Sequence, residues 1–306
     1  MRALVTGATG LIGKHLIGSL ENPVVLSRDP EEARRRLGKV EAYAWNPEGN
    51  PAPVDALRGI EAVFNLAGDP IFEGRWTDEK KRRIRDSRVL GTRNLVSAIA
   101  ALETRPKVLV SASAVGYYGD RGDEELDERS AAGDGFLAEV CAEWEREAMA
   151  AGQLGVRVVC ARIGIVLAPG GGALAAMLTP FRMGMGGRLG SGRQWMPWVH
   201  IKDLAGMMLY ASRNDAIRGP MNAVAPHPVT NLDFTRALAH AVRRPALLTV
   251  PRVLLRLAMG EVSDILLASQ RVFPKVAEQS GYVFDHPDLA GALDDVMTSM
   301  ARPSPA

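Results

Sequence analysis

Met1-Arg-Ala-Leu-Val-Thr-Gly-Ala-Thr-Gly-Leu-Ile-Gly-Lys14 is the stretch whose reading decides the fold. Ala3 to Thr6 reads as a short buried strand, and Leu11, Ile12, His15, Leu16 and Leu20 fall at the apolar spacing of a helix. Gly7, Gly10 and Gly13 lie between and within them. A side chain at Gly7 would obstruct the tight turn, one at Gly10 would hold the backbone away from a pyrophosphate, and one at Gly13 would push the helix off the strand. The start of the helix then offers unpaired N–H groups and a partial positive charge to phosphate. Glycines in a turn are weak evidence alone. A strand before them and a helix after them supply the context of a dinucleotide site. The expectation is that Gly7, Thr9, Gly10, Leu11, Ile12 and Gly13 line a dinucleotide, the alternative being a turn with a structural role only.

Working outward, the 306 residues are enough for one large domain or for one domain with a smaller partner. A composition 47% hydrophobic and 24% charged is that of an ordinary globular protein, and a net charge of +2 gives no reason to expect nucleic acid. Cys141 and Cys160 make neither a disulfide framework nor a metal set, which fits a reducing cytoplasm. No apolar run reaches membrane-spanning length, and a strand that starts at Ala3 leaves no room for a signal peptide. The sequence therefore predicts a cytoplasmic protein with a small-molecule partner and no nucleic-acid, membrane or metal partner.

The second strand, Pro23 to Ser27, ends in Ser27-Arg28. An acidic residue here would bind the ribose 2′-hydroxyl of NAD, whereas Arg accommodates a 2′-phosphate. Arg28 with Ser27 therefore favours NADP(H), and Asp29, one residue late, keeps NAD open. Strands are also expected at Val40–Trp45, Glu61–Leu66, Lys107–Ala112 and Val156–Arg162 continuing to Val166, with a seventh near Met221–Val224. Leu66-Ala67-Gly68 is small enough at a strand end to let a flat ring approach, or simply ends the strand. A long helix is expected from Thr77 to about Ala101, opened by Thr77-Asp78-Glu79. Its basic run, Lys80 to Arg83 with Arg85, reads as a solvated face, and Arg88 is the member placed to reach cofactor phosphates. Ser113, at the carboxyl end of the fifth strand, is the best polar candidate beside a reacting ring, with Tyr117 and Tyr118 close behind.

Strands alternating with helices give a Rossmann-type, doubly wound parallel α/β sheet. Residues 1–166, with a return segment at about 202–225, form the nucleotide-binding domain; 167–201 and 226–300 form a small, mostly helical substrate-side lobe; 301–306 is a tail. Arg193, Gln194 and Trp195, with Trp198 and His200 nearby, place donors and flat rings over the crevice, where they could meet phosphate, base or sugar. The competing reading is that the tryptophans pack the lobe together.

The order of segments resembles the extended short-chain dehydrogenase/reductase superfamily over nearly the whole chain. The resemblance rests on Val5-Thr-Gly-Ala-Thr-Gly-Leu-Ile-Gly13, Asn65-Leu-Ala-Gly68, Ser111-Ala-Ser113, Arg162-Ile-Gly-Ile-Val166 and Trp198-Val-His-Ile-Lys-Asp-Leu204. More narrowly it resembles the atypical, sugar-nucleotide epimerase-like group typified by the YfcH protein, through Asn65 to Ile71, Arg75-Trp-Thr77, Ser87-Arg88, Gly187 to Leu204 and Ser269-Gln-Arg-Val272. The resemblance implies NADP(H) binding at Ser27-Arg28, at Leu66-Ala67 and near Arg88. It also places Ser111, Arg162 and Val166 on the cofactor side. An oxidoreductase or nucleotide-sugar epimerase follows as the expected class, with a nucleotide-sugar or carbonyl compound as substrate, on a monomer or homodimer.

The superfamily's usual catalyst is a Tyr acidified by a Lys four residues later and assisted by a Ser. Ser113 matches the Ser, but Asp134 to Ala142, where the pair should fall, holds neither, and no Tyr in the chain has a Lys four residues on. Tyr117, Tyr118 or a buried Glu139 could substitute as proton donor. The alternatives are an NADPH-sensing regulatory protein without turnover, and a scaffold that keeps a cofactor for stability.

Overall fold

A computed structural model describes residues 1–301; the tail from Arg302 to Ala306 lies outside the described residues. Seven strands form the central sheet: β1 (Ala3–Thr6), β2 (Val24–Ser27), β3 (Glu41–Ala44), β4 (Ala62–Asn65), β5 (Val108–Ala114), β6 (Arg157–Ile163) and β7 (Gly219–Ala223). All neighbours are parallel and the order is β7-β6-β5-β4-β1-β2-β3. The chain leaves β1 toward one edge and returns at β4 toward the other, so a crevice opens beyond the carboxyl ends of β1 and β4.

Successive side chains of a strand point to opposite faces, and both faces of this sheet are covered. Ala3, Val5, Val25, Phe64 and Val110 join one core with α1 (Leu11–Ile17) and, through Leu204, Met207 and Met208, α7 (Ile201–Arg213). Leu4, Val24, Val63, Leu109 and Val158 join the other with Leu57 of α3 (Val54–Leu57), Leu95 and Ile99 of α4 (Asp78–Ala100), and Ala148 of α5 (Phe136–Met149). The long helix starts where its cap predicts, the Thr77 hydroxyl accepting from the N–H of Lys80. One helix was not expected, α2 (Pro30–Leu37), capped by Asp29, whose carboxylate accepts from the N–H of Glu32.

The sixth strand is shorter than the sequence suggests. It breaks at Gly164, where a Cβ would stand 2.7 Å from the carbonyl oxygen of Pro197. Ile165–Leu167 then leaves the sheet and pairs with Trp198–His200. That crossing opens the lobe, built from α6 (Gly172–Arg182), α8 (Asn231–Ala241), α9 (Arg252–Met259), α10 (Val262–Leu267) and α12 (Leu289–Ala301), while α11 (Lys275–Gln279) packs back on the sheet through Ala277. It also contains short ladders, Gly187–Leu189 with Leu248–Val250 and Trp195–Met196 with Val229–Thr230. Leu174, Leu178, Trp198, Phe234, Leu238 and Leu293 form its own core. No described helix is long and apolar enough to cross a membrane.

Candidate functional site

The glycine turn has the geometry its sequence requires. Gly7 sits at φ +65°, and a Cβ there would lie 2.8 Å from the carbonyl carbon of Leu66, so β1 and β4 approach each other as backbone. A Cβ on Gly13 would fall 2.4 Å from the carbonyl oxygen of Gly7. Gly10 caps α1 without a side-chain acceptor, leaving the first amides of the helix open, with Thr9 beside them. Leu11 and Ile12 pack partly into the core, and Leu11 also meets Gly171 and Gly172, next to Val166.

The strand ends are pinned by one buried polar chain. The amides of Leu66 and Ala67 both donate to Thr6 Oγ1 at 3.0 Å, and that hydroxyl donates to Asn65 Oδ1 at 2.9 Å. Asn65 Nδ2 in turn donates to Thr92 Oγ1 at 2.8 Å and Ser111 Oγ at 3.2 Å. Ser111 is therefore a fully buried member of this chain, which corrects its placement against a cofactor. Its hydroxyl holds strands together.

At the end of β2 the acid and the base divide their work. Asp29 spends its carboxylate on capping α2, and the Ser27 hydroxyl donates to the carbonyl of Asp29 at 2.9 Å. Arg28 is exposed and lines a 670 Å³ pocket with Ala44, Trp45, Asn46, Glu48, Asp69 and Arg83. Arg83, read from sequence as solvated, thus stands on the same pocket as Arg28. Nothing in a basic helical run marks which member faces in.

Arg88 lies against Gly68, where a Cβ would be 3.0 Å from the guanidinium carbon. One of its nitrogens donates to the carbonyls of Asp69 and Ile84, both at 3.0 Å, and the group stacks on Trp144 at 5.3 Å. Burial lowers its pKa, and no carboxylate pairs with it among the described residues. The carboxylate of Asp69, whose carbonyl Arg88 meets, is engaged by buried Lys80 at 2.5 Å. Arg88 is thus a desolvated cation at the crevice, suited to an anion.

Ser113 stands at the end of β5 as expected, 2% exposed, and its hydroxyl donates to Glu145 Oε1 at 2.6 Å. Glu145 is held by a bidentate pair with Arg162, Nε to Oε1 and Nη2 to Oε2, each at 2.8 Å. The remaining nitrogen of Arg162 donates to the Tyr118 hydroxyl at 3.0 Å and the Glu128 carbonyl at 3.4 Å. Arg162, 3% exposed, spends four of its five N–H donors on protein partners, so it is a buried brace of this network rather than a cofactor contact, and that assignment is corrected. Tyr118 is corrected as well. Its fully buried hydroxyl contacts Asn222 Oδ1 at 2.7 Å and the Asp127 carbonyl at 2.9 Å, and burial raises its pKa to about 12. Tyr117 differs from its neighbour. It is half-buried, its ring lies 3.5 Å from the Arg162 guanidinium carbon, and its hydroxyl has no partner among the described residues.

The face of α5 turned toward Gly116 presents Leu137 and Cys141, four residues apart. Cys141 is buried and its thiol is pushed up to about 11 by that burial. Glu139 is exposed, so the buried acid expected of it is not there. In the lobe, Gln194 is 8% exposed and its amide donates to the carbonyls of Leu189 and Leu266, a brace rather than a substrate contact. Trp195 is half-buried between Asp123, which accepts from its indole N–H at 2.9 Å, and Arg271, 4.7 Å from its ring. Arg193 alone of the three remains exposed.

His200, His286 and Asp295 bring ligand atoms within 4.8 Å of one another. His200 Nδ1 accepts from the N–H of Lys202, which leaves its proton on Nε2, 3.3 Å from Asp295. Nδ1 is thereby used by the protein, while Nε2 makes no hydrogen bond among the described residues.

Comparison with known proteins agrees with this fold. Residues 3–223 match the model of the NAD dependent epimerase/dehydratase family, and residues 250–296 match a domain of unknown function, DUF1731. The epimerase family protein Mb2239 of Mycobacterium bovis is 41% identical over 292 residues, covering 94% of this chain and 95% of its own. An Arabidopsis thaliana relative named epimerase family protein SDR39U1 homolog, chloroplastic, is 39% identical, covering 97% of this chain and 87% of its own. The crystal structure of the human epimerase family protein SDR39U1 with NADPH superposes with a TM-score of 0.87 at 34% identity, over 97% of this chain and 99% of that one. With the sheet order, the glycine turn and these matches together, the chain belongs to the NAD dependent epimerase/dehydratase family, among the atypical extended short-chain dehydrogenase/reductases.

Proposed function

We propose that this chain binds NADP(H) beyond the carboxyl ends of β1, β2 and β4 and works as an oxidoreductase or epimerase on a small carbonyl compound or nucleotide-sugar. The observation that carries the reading is the division at the end of β2. Asp29 is engaged in capping, so the carboxylate that would select NAD is withdrawn, while Arg28 stands over an open pocket with Arg83. The human relative crystallised with NADPH supports the same preference. In this reading Gly7, Thr9, Gly10, Leu11, Ile12 and Gly13 take the pyrophosphate, Ser27 and Arg28 the 2′-phosphate, and Leu66, Ala67, Gly68 and Val166 the flanks. Arg88 supplies a further cation.

The cofactor, when bound, supplies hydride chemistry. The protein's part is position and a proton path. Ser113 sits where the central strand ends, and its hydroxyl donates to Glu145, which a bidentate pair with Arg162 holds in place. Ser113 is thus arranged to take a proton from a substrate hydroxyl as its own is drawn to Glu145, or to return it. Tyr117, with a free phenol beside the same guanidinium, is the second donor. Leu137 and Cys141 cannot do the work of a Tyr and Lys, so the relay replaces that pair. Residues 1–166 with 202–225 serve the cofactor, and 167–201 with 226–300 serve the substrate.

The test is a turnover screen of nucleotide-sugars and carbonyl compounds that follows loss of reduced-cofactor fluorescence. Ser113→Ala and Tyr117→Phe should lower turnover while cofactor affinity stays. Unchanged turnover in both variants would refute the relay. Tight NADPH binding with no turnover on any substrate would make the chain a sensor rather than an enzyme.

A further inference from the structure

We infer that the lobe carries a second functional surface, one that docks reversibly on an anionic phospholipid membrane. Of the twelve large hydrophobic side chains exposed among the described residues, seven lie in two short segments, Met183–Met185 and Leu247–Leu257. Single exposed apolar residues need no explanation, but a contiguous group does. These are contiguous because Gly187–Leu189 pairs with Leu248–Val250, setting the residues after α6 beside those before α9. On α9, Val253, Leu254 and Leu257 are 69%, 55% and 67% exposed, and only Leu255 is buried. This helix is amphipathic, yet its apolar side faces solvent.

Charge identifies the occupant. From residue 234 to residue 260 the chain has five arginines and no Asp or Glu, and from 148 to 202 it again has no acid. Arg182, Arg188, Arg243, Arg244 and Arg252 have no acidic partner among the described residues. A 460 Å³ pocket lined by Arg188, Arg236, Leu247 and Leu248 opens in this face and suits a phosphate headgroup with an apolar edge. A second copy docking through the same face would bring like charges together, which disfavours a dimer here. Exposed Leu and Val ringed by arginine is the pattern of an interfacial helix, which lies on a bilayer without crossing it. Arg75 donates to the carbonyl of Leu257 at 2.5 Å and so ties α9 to the segment that follows β4 at the crevice.

The experiment is co-sedimentation of the full chain with vesicles of phosphatidylcholine alone and of phosphatidylcholine with about a third phosphatidylglycerol, at low and high salt. Binding to the anionic vesicles only, weakened by salt, is expected. Arg243→Ser with Arg244→Ser should weaken it roughly 30-fold, and Leu254→Ser with Leu257→Ser roughly tenfold or more. Circular dichroism and melting of both variants check that the fold is intact. Three results would overturn the inference. They are no sedimentation with anionic vesicles, binding that survives the leucine substitutions, or a dimer in solution that both variants dissociate. Competition by inorganic phosphate alone, without dependence on the leucines, would assign the pocket to a free anion instead.

Discussion

Replacing Glu145 by Gln is the perturbation whose cost the structure sets most clearly. The carboxylate accepts from Ser113 at 2.6 Å and from two nitrogens of Arg162 at 2.8 Å each. Arg162 is 3% exposed, so the amide would strand a guanidinium with neither water nor counter-charge. Breaking a buried pair from one side costs about 3–5 kcal/mol, against a total stability of roughly 5–15 kcal/mol for a domain. Arg162→Met should cost about as much, because it leaves the largely buried Glu145 carboxyl without its guanidinium partner. Removing both charges, as Glu145→Gln with Arg162→Met, takes away the desolvation problem, and the double variant should be more stable than either single one. Urea unfolding of the four proteins at neutral pH, with a shared slope, measures the cycle. Single substitutions costing less than about 1 kcal/mol, or a double cost equal to the sum, would refute the reasoning.

Other substitutions separate neighbouring roles. Tyr118→Phe removes a hydroxyl bonded to Arg162 and Asn222 and should lower stability by about 1–3 kcal/mol, whereas Tyr117→Phe, with no partner to lose, should stay within about 0.5 kcal/mol in the same unfolding assay. Gly13→Ala places a methyl 2.4 Å from a carbonyl oxygen; a loss of about 1–3 kcal/mol together with loss of NADPH binding is expected by melting and titration. His200 is buried and its pKa is lowered to about 4, so the folded state stays neutral while the unfolded chain takes up a proton near pH 6.5. Stability is therefore complete above pH 6.5 and falls as pH drops toward 4, by up to about 3 kcal/mol. His200→Asn keeps a cap for α7 and should flatten that pH dependence in denaturation curves at pH 7.5 and 5.

Local chemistry explains what was legible in the sequence. The turn from Thr6 to Gly13 declared itself because strand, glycines and helix are adjacent in the chain, and the Thr77 cap fixed the start of α4 for the same reason. The sheet followed from apolar runs buried on both faces. Contacts between distant residues were not legible. Arg162 reads as a cofactor contact because its partner, Glu145, lies on a separate element, α5, with no pattern linking the helix to the strand. Tyr117 and Tyr118 read alike, yet one short 3₁₀ turn, Val115–Tyr118, sends one hydroxyl into the core and leaves the other free. Asp29 competed with Arg28 until its place as the cap of α2 removed it. Gln194 has polar chemistry fit for a ligand, but two backbone carbonyls use it first. In each case a long-range partner, invisible in sequence, decided whether a polar group was spent or free.

The central claim is that Arg28, and not Asp29, meets the cofactor. Titration of the purified chain with NADPH and with NADH, by tryptophan quenching and reduced-cofactor emission, tests it directly. A charge-assisted contact is worth about 1.5–3 kcal/mol, so NADPH should bind roughly 10- to 100-fold more tightly than NADH, and Arg28→Ser should abolish most of that difference. Equal affinity for the two cofactors, or a preference that survives Arg28→Ser, would contradict the account.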